Sequence, residues 1–158
     1  MAEPVSGDVF LARLKREIPL TCHMGLSTPN WNGQTLQMPA ALAPNVNDKG
    51  TGFGGSQVAL ATLCGWSITT LWLEQSGFKA SVVVKESQVE YLKPVTGDFV
   101  VETELPPESV LAEALARYQA RGRTRLNLEV LVRQGETVAL RLQGQYVAFR
   151  PEPRPAEI

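Results

Sequence analysis

The chain has 158 residues, 44% of them apolar and 20% charged, and fifteen basic side chains nearly cancel sixteen acidic ones to leave a net charge of -1. That length matches the ~150-residue prior for one domain, and the balance is that of a globular chain. Near-neutral charge gives no support to broad attraction to nucleic acid. Cys22 and Cys64 make neither a disulfide framework nor a metal-ligand spacing. No basic stretch followed by an apolar one opens the sequence, and its most apolar run, residues 58–73, is shorter than the ~20 residues of a membrane span. The expectation is a reduced, cytoplasmic protein without a metal, cofactor or membrane partner, with one domain over residues 1–150 and a loose, proline-rich tail over 151–158.

Residues 8–18 place Val9, Phe10, Leu14 and Ile18 at near-helical spacing among Arg13, Lys15, Arg16 and Glu17, which predicts an amphipathic helix stopped by Pro19. Weak strands are expected at 24–28 and 35–41, separated by a turn through Asn30-Trp31-Asn32-Gly33. The glycines and prolines of residues 44–55 predict a loop. From Ser56 to Ser76 no polar stripe interrupts Val58, Leu60, Leu63, Trp66, Ile68, Leu71 and Leu73. With Ser56 as N-cap and Gly77 past its end, this segment predicts a helix that is apolar all round and therefore buried all round.

Alternating strands are predicted at 81–92, 99–105, 126–132 and 138–146. A helix that opens at Pro107, carries Val110, Leu111, Ala114, Leu115 and Tyr118 as its stripe and ends at Gly122 interrupts them. A sandwich of such strands leaves the apolar helix uncovered. One antiparallel sheet curled around that helix covers it on most sides, giving an α+β fold. The side left open calls for a second copy, so a two-fold homodimer, alone or paired into a tetramer, is expected.

The chemistry-bearing stretch is Asn47-Asp48-Lys49-Gly50-Thr51-Gly52-Phe53-Gly54-Gly55-Ser56, which leads straight into the apolar helix. Glycines at a helix N-terminus leave unpaired N–H groups at the positive end of the dipole, with no side chain to keep a ligand oxygen away. Such an end suits a phosphate or a carbonyl that becomes an oxyanion.

The run Asn47-x-x-Gly50-Thr51-x-x-Gly54-Gly55 resembles that of hot-dog fold acyl-CoA thioesterases of the phenylacetyl-CoA thioesterase branch. More closely, residues 43–56, the pair Gly65-Trp66 and the segment Tyr91-Leu92-Lys93-Pro94-Val95-Thr96-Gly97-Asp98 resemble the YiiD C-terminal-domain-like thioesterases. The likeness runs from about residue 18 to 149. It implies a hot-dog fold, with a curled antiparallel sheet around a long central apolar helix, and hydrolysis of an acyl-CoA or acyl-carrier-protein thioester. It also implies that Asn47 positions the thioester or its water, that the Gly54 amide polarises the carbonyl, and that Phe53, Gly55, Ser56 and Thr62 line the substrate. Two residues depart from the broader branch: Phe53 replaces a histidine, and Thr62 stands where an aspartate or glutamate serves as nucleophile or base. Threonine is a poor activator of water without a neighbouring base. Glu86, on the strand after the helix, is the acid expected to replace it, ahead of Asp48.

Other residues carry blander readings. His23 and Cys22 are chain neighbours, which on a strand would point to opposite faces and form no dyad. Arg117, Arg121, Arg123 and Arg125 form a cluster able to hold coenzyme A phosphates, but a solvated surface is the simpler account. Trp31, Trp66 and Trp72 read as packing residues. A non-catalytic acyl-binding protein is the alternative to the hydrolase, motivated by Thr62, and a structural interaction domain is a third reading.

Overall fold

The computed structural model describes residues 3–152, so the tail expected from 151 onward lies almost wholly outside the described residues. Helix α1 spans Gly7–Glu17, where the Ser6 hydroxyl accepts from the Val9 amide. It buries Phe10 and Leu14 and stops before a 3₁₀ turn over Pro19–His23. Six strands then form one antiparallel sheet in the order β1-β2-β4-β5-β6-β3. Their ranges are β1 Asn30–Trp31, β2 Thr35–Ala40, β3 Ser81–Tyr91, β4 Phe99–Glu104, β5 Arg123–Gln134 and β6 Thr137–Phe149. Helix α2 (Gly54–Gln75) packs across β2 to β6, and α3 (Glu108–Arg121) links β4 to β5. This is the α+β hot-dog arrangement, a curled sheet around a central helix.

Two local expectations need correction. Residues 24–28 form no strand; only Leu26 bridges to Ala40, and the first strand falls at Asn30–Trp31 in the stretch read as a turn. The turn comes later, because the Asn32 carboxamide oxygen accepts from the Gln34 and Thr35 amides while Gly33 takes φ 91°, freeing Trp31 to be buried. Helix α2 begins three residues earlier than expected, with Phe53 in the cap position and no side-chain cap, so Ser56 lies inside the first turn. Its other end follows the glycine rule: Gly77 has φ 90°, its amide donates to Glu74, and the Phe78 amide donates to Leu73, which closes a Schellman motif.

Burial of α2 is complete from Ser67 to Leu73 but not before it. Gly55 and Ala59 are exposed and Thr62 and Trp66 half-buried, at spacings of four, three and four that put them on one helix face. A flanking face meets the sheet closely: a methyl group at Gly65 would overlap the Tyr146 ring, whose hydroxyl donates to the Thr62 carbonyl at 3.1 Å. The predicted stripe of α3 is also narrower than expected, since Val110 is exposed and only Leu111, Ala114 and Tyr118 are buried. Strand β3 forms one edge of the sheet, with residues 83–88 all exposed.

Candidate active site

A knitted loop sets the start of α2. The Asn47 carboxamide oxygen accepts from the Lys49 and Thr51 amides at 2.9 and 3.1 Å, and its nitrogen donates to the Thr51 hydroxyl at 2.9 Å. Gly50 takes φ 76°, and Val46 bridges to Gly52. The Gly52 carbonyl accepts from the buried Gln57 side chain at 3.1 Å, and its amide donates to Val95. One step on, the Phe53 amide donates to Asn45 at 2.7 Å, and the Asn45 side chain ties the loop to Met24 and Ala41. The backbone is therefore held up to residue 53, and there the pairing stops. The first intrahelical bond runs from the Gln57 amide to the Phe53 carbonyl, so among the described residues the Gly54, Gly55 and Ser56 amides have no partner.

Each glycine has a steric reason. A Cβ at Gly54 would lie 3.0 Å from the Tyr91 ring, and one at Gly55 only 2.6 Å from the Phe53 ring. Phe53 is 54% exposed and Tyr91 66%, so two open aromatic rings flank the amides. Two turns along the same face, Thr62 lines an apolar pocket of about 260 Å³ with Ile18, Met24, Ala59, Trp66 and Val84. The Thr62 hydroxyl has no partner among the described residues. The Thr69 and Thr70 hydroxyls, by contrast, bond back to the helix carbonyls of Gly65 and Trp66.

The structure thus places Phe53, Gly54, Gly55 and Ser56 at the N-terminal end of α2, with Thr62 two turns along the face that carries Gly55. Asn47 adjoins them, but both ends of its carboxamide are spent on its own loop. Glu86 is not gathered. It pairs with Gln145 across β6, in the row that faces away from α2, while its neighbour Ser87 pairs with Gly144 in the row that faces α2. A period of two puts chain neighbours on opposite faces, so Glu86 in its own protomer is turned from the open amides. Asp48, the second candidate acid, sits exposed at the loop tip and pairs with Lys49 at 2.9 Å. Cys64 is wholly buried, and burial, assisted by the Glu102 charge, pushes its thiol far above the ordinary range. Asn45, Gln57 and Tyr91 had no assigned role in the sequence. A glutamine in an otherwise apolar first turn was a signal that could have found Gln57.

The family model described as "Putative thioesterase (yiiD_Cterm)" matches residues 8–150. A crystal structure of a protein of unknown function from Chlorobaculum tepidum TLS is similar at 28% identity and a TM-score of 0.83, covering 94% of this chain and 99% of that one. Another, described as a "putative thioesterase" from Shewanella oneidensis, is similar at 25% identity and a TM-score of 0.80, covering 92% and 97%. A third from Pseudomonas aeruginosa shares the fold at 19% identity and a TM-score of 0.78, over 93% and 97% of the two chains. With a hot-dog sheet around α2 and a family match over most of its length, the chain belongs to the "Putative thioesterase (yiiD_Cterm)" family.

Proposed function

We propose that the protein hydrolyses an acyl thioester carried by coenzyme A or by an acyl carrier protein, with the thioester carbonyl seated on the Gly54 and Gly55 amides. The observation behind this reading is the row of unpaired amides at the start of α2, directly after five consecutive hydrogen-bonded amides from Lys49 to Phe53. Attack of water on the carbonyl carbon turns the carbonyl oxygen into an oxyanion, which these amides receive. Collapse of that intermediate then breaks the C–S bond and releases a thiol. A fixed donor of this kind contributes roughly 10²–10³ in rate. The acyl chain runs along the open face of α2 over Ala59 toward Thr62 and the apolar pocket beside Trp66. Asn47 acts by holding the loop, and thereby the amides, in position.

The water lacks an evident base, because Glu86 faces away and Thr62 is not an acid. That observation favours a second reading, an acyl-binding protein that turns over slowly or not at all. A screen of short, medium, long and aromatic acyl-CoA substrates, read by thiol release, separates the two. Hydrolysis of any of them supports the first reading, and binding without thiol release supports the second. Where hydrolysis is found, Glu86→Ala is expected to leave the rate within about twofold, and Thr62→Asp to raise it at least ~tenfold by placing a base beside the open face.

The same reading includes a two-fold homodimer. Its support is the coincidence of an exposed long edge strand, β3, with the bare face of α2 on the same side of the molecule.

A further inference from the structure

The outer face of the sheet carries a groove of about 460 Å³ lined by five cations, Lys85, Arg117, Arg121, Arg123 and Arg125, in a chain whose net charge is -1. Three separate elements supply them. A β-bulge between Val84 and Glu86 leaves Lys85 outside the ladder and turns it into the groove. Arg117 and Arg121 lie one turn apart on α3, and Gly122, at φ 69°, reverses the chain so that Arg123 and Arg125 follow on β5. Among the described residues none of the five makes an ion pair; the bridges present use Arg13, Lys49, Arg133 and Arg141.

The ordinary structural explanation for such a cluster is compensation of a helix C-terminus. Arg150 already does that here. Its guanidinium donates to the Gln119 carbonyl at 3.4 Å and its amide donates to Gly122. Arg121, in the last turn of α3, shares that role, but Lys85, Arg117, Arg123 and Arg125, gathered by a bulge and a left-handed turn, repel one another with no ion pair to offset it among the described residues. The fork geometry of arginine suits phosphate oxygens, and its planar face stacks on a base. The volume lies in the range of small-molecule sites. An extended polyanion fits poorly, because the adjoining hollow on the same face is lined by Glu86 and Glu129.

We propose that this groove binds a nucleotide bearing at least two phosphate groups. The site is separate from the open amides of the same protomer. Arg125 and Val132 lie seven residues apart on β5, ~24 Å along the strand. Val132 pairs with Leu140, and Leu140 with Tyr91, the residue beside Gly54. The proposal does not rest on the thioesterase reading. Its ligand is either a free nucleotide or the phosphorylated nucleotide end of a coenzyme A thioester arriving from a paired copy, and both offer the same chemistry.

Calorimetric titration of the full chain with adenosine 3′,5′-bisphosphate, ADP, pyrophosphate and adenosine tests it. The expected result is saturable binding of the phosphorylated nucleotides, at least ~tenfold tighter than adenosine and weakened by salt. Arg123→Ala and Arg125→Ala, both at exposed positions, are each expected to lose at least ~tenfold in affinity with an unchanged melting temperature. Arg141→Ala, outside the groove, is expected to change it less than about twofold. If acyl-CoA is a substrate, an Arg125→Ala rise in KM for acyl-CoA but not for the matching acyl-pantetheine assigns the groove to the substrate's own nucleotide. Equal KM values with lost nucleotide binding assign it to a free nucleotide. No saturable binding of any phosphorylated probe up to ~1 mM, or binding that Arg123→Ala and Arg125→Ala leave intact, overturns the proposal. So does a groove that takes RNA or an acidic protein while rejecting every nucleotide.

Discussion

At the scale of single residues, the site depends on what is missing at Gly54 and Gly55 rather than on what is present. The Tyr91 and Phe53 rings occupy the space where side chains would begin, and so leave the amides bare between two aromatic walls. Missing side chains are easy to see in a sequence, and the placing of the glycine pair at the start of the apolar helix was legible there. The rings were not, because Tyr91 reaches Gly54 only through the pairing of β3 with β6. Glu86 illustrates the same limit. Its position on a strand was readable, but a bulge at Lys85 shifts the register, and the face toward which Glu86 points depends on that shift. The two cysteines differ sharply, since Cys22 is exposed and Cys64 is buried with its thiol held protonated. An alkylating reagent near pH 8 is therefore expected to label one thiol per native chain, at Cys22, and two in denaturant. Labelling of Cys64 in the native chain would contradict the packing of α2.

At the scale of elements, α2 is held by shape as much as by apolarity. Periodicity in the sequence announced its length and its apolar surface on every side, yet could not say that only the later half is covered. Coverage depends on how far a curled sheet reaches around a rod, and that is a property of strand order and twist. Gly65 marks the closest approach, against Tyr146. Gly65→Ala is expected to cost ~1–3 kcal/mol by overpacking and to lower the melting temperature, even though alanine is the better helix former. A stabilised variant would mean that the helix stands further from β6. The early start of α2 has an equally local cause: the Phe53 amide is captured by Asn45, so the helix begins at the next residue without waiting for Ser56 to cap it. A capping preference of about 1 kcal/mol is smaller than the set of bonds that fixes this loop.

The whole molecule leaves two surfaces unfinished on one side, the β3 edge and the face of α2 through Gly55, Ala59, Thr62 and Trp66. Isolated apolar side chains on a surface need no account, but exposed Val83 and Val84 lie on a long edge strand, paired only on its β6 side, beside that face. Sedimentation equilibrium is expected to return twice the 17.2 kDa chain mass, and Val84→Lys is expected to shift the balance toward the single chain. A monomer at ~100 µM would remove the paired-copy part of the reading. Fold class, helix order and the limits of β2, β3 and β4 were legible because alternation and helical spacing are written residue by residue, whereas β5 and β6 run several residues beyond their predicted ends. The grouping of Arg117 and Arg121 with Lys85 was not, since it joins a helix end to a strand bulge far away in the chain.

The most direct measurement is steady-state thioester hydrolysis by Gly54→Pro, on whichever acyl-CoA the native protein turns over fastest. Proline suits the backbone at the first position of a helix and the extended Phe53 before it, at φ -67° and ψ 124°, and deletes one N–H, provided the exposed Tyr91 ring, 3.0 Å from a Cβ there, swings aside. With helicity and melting temperature kept, kcat is expected to fall by roughly 10²–10³. A folded Gly54→Pro variant with native kcat would contradict the claim that the bare amide end of α2 stabilises the reaction.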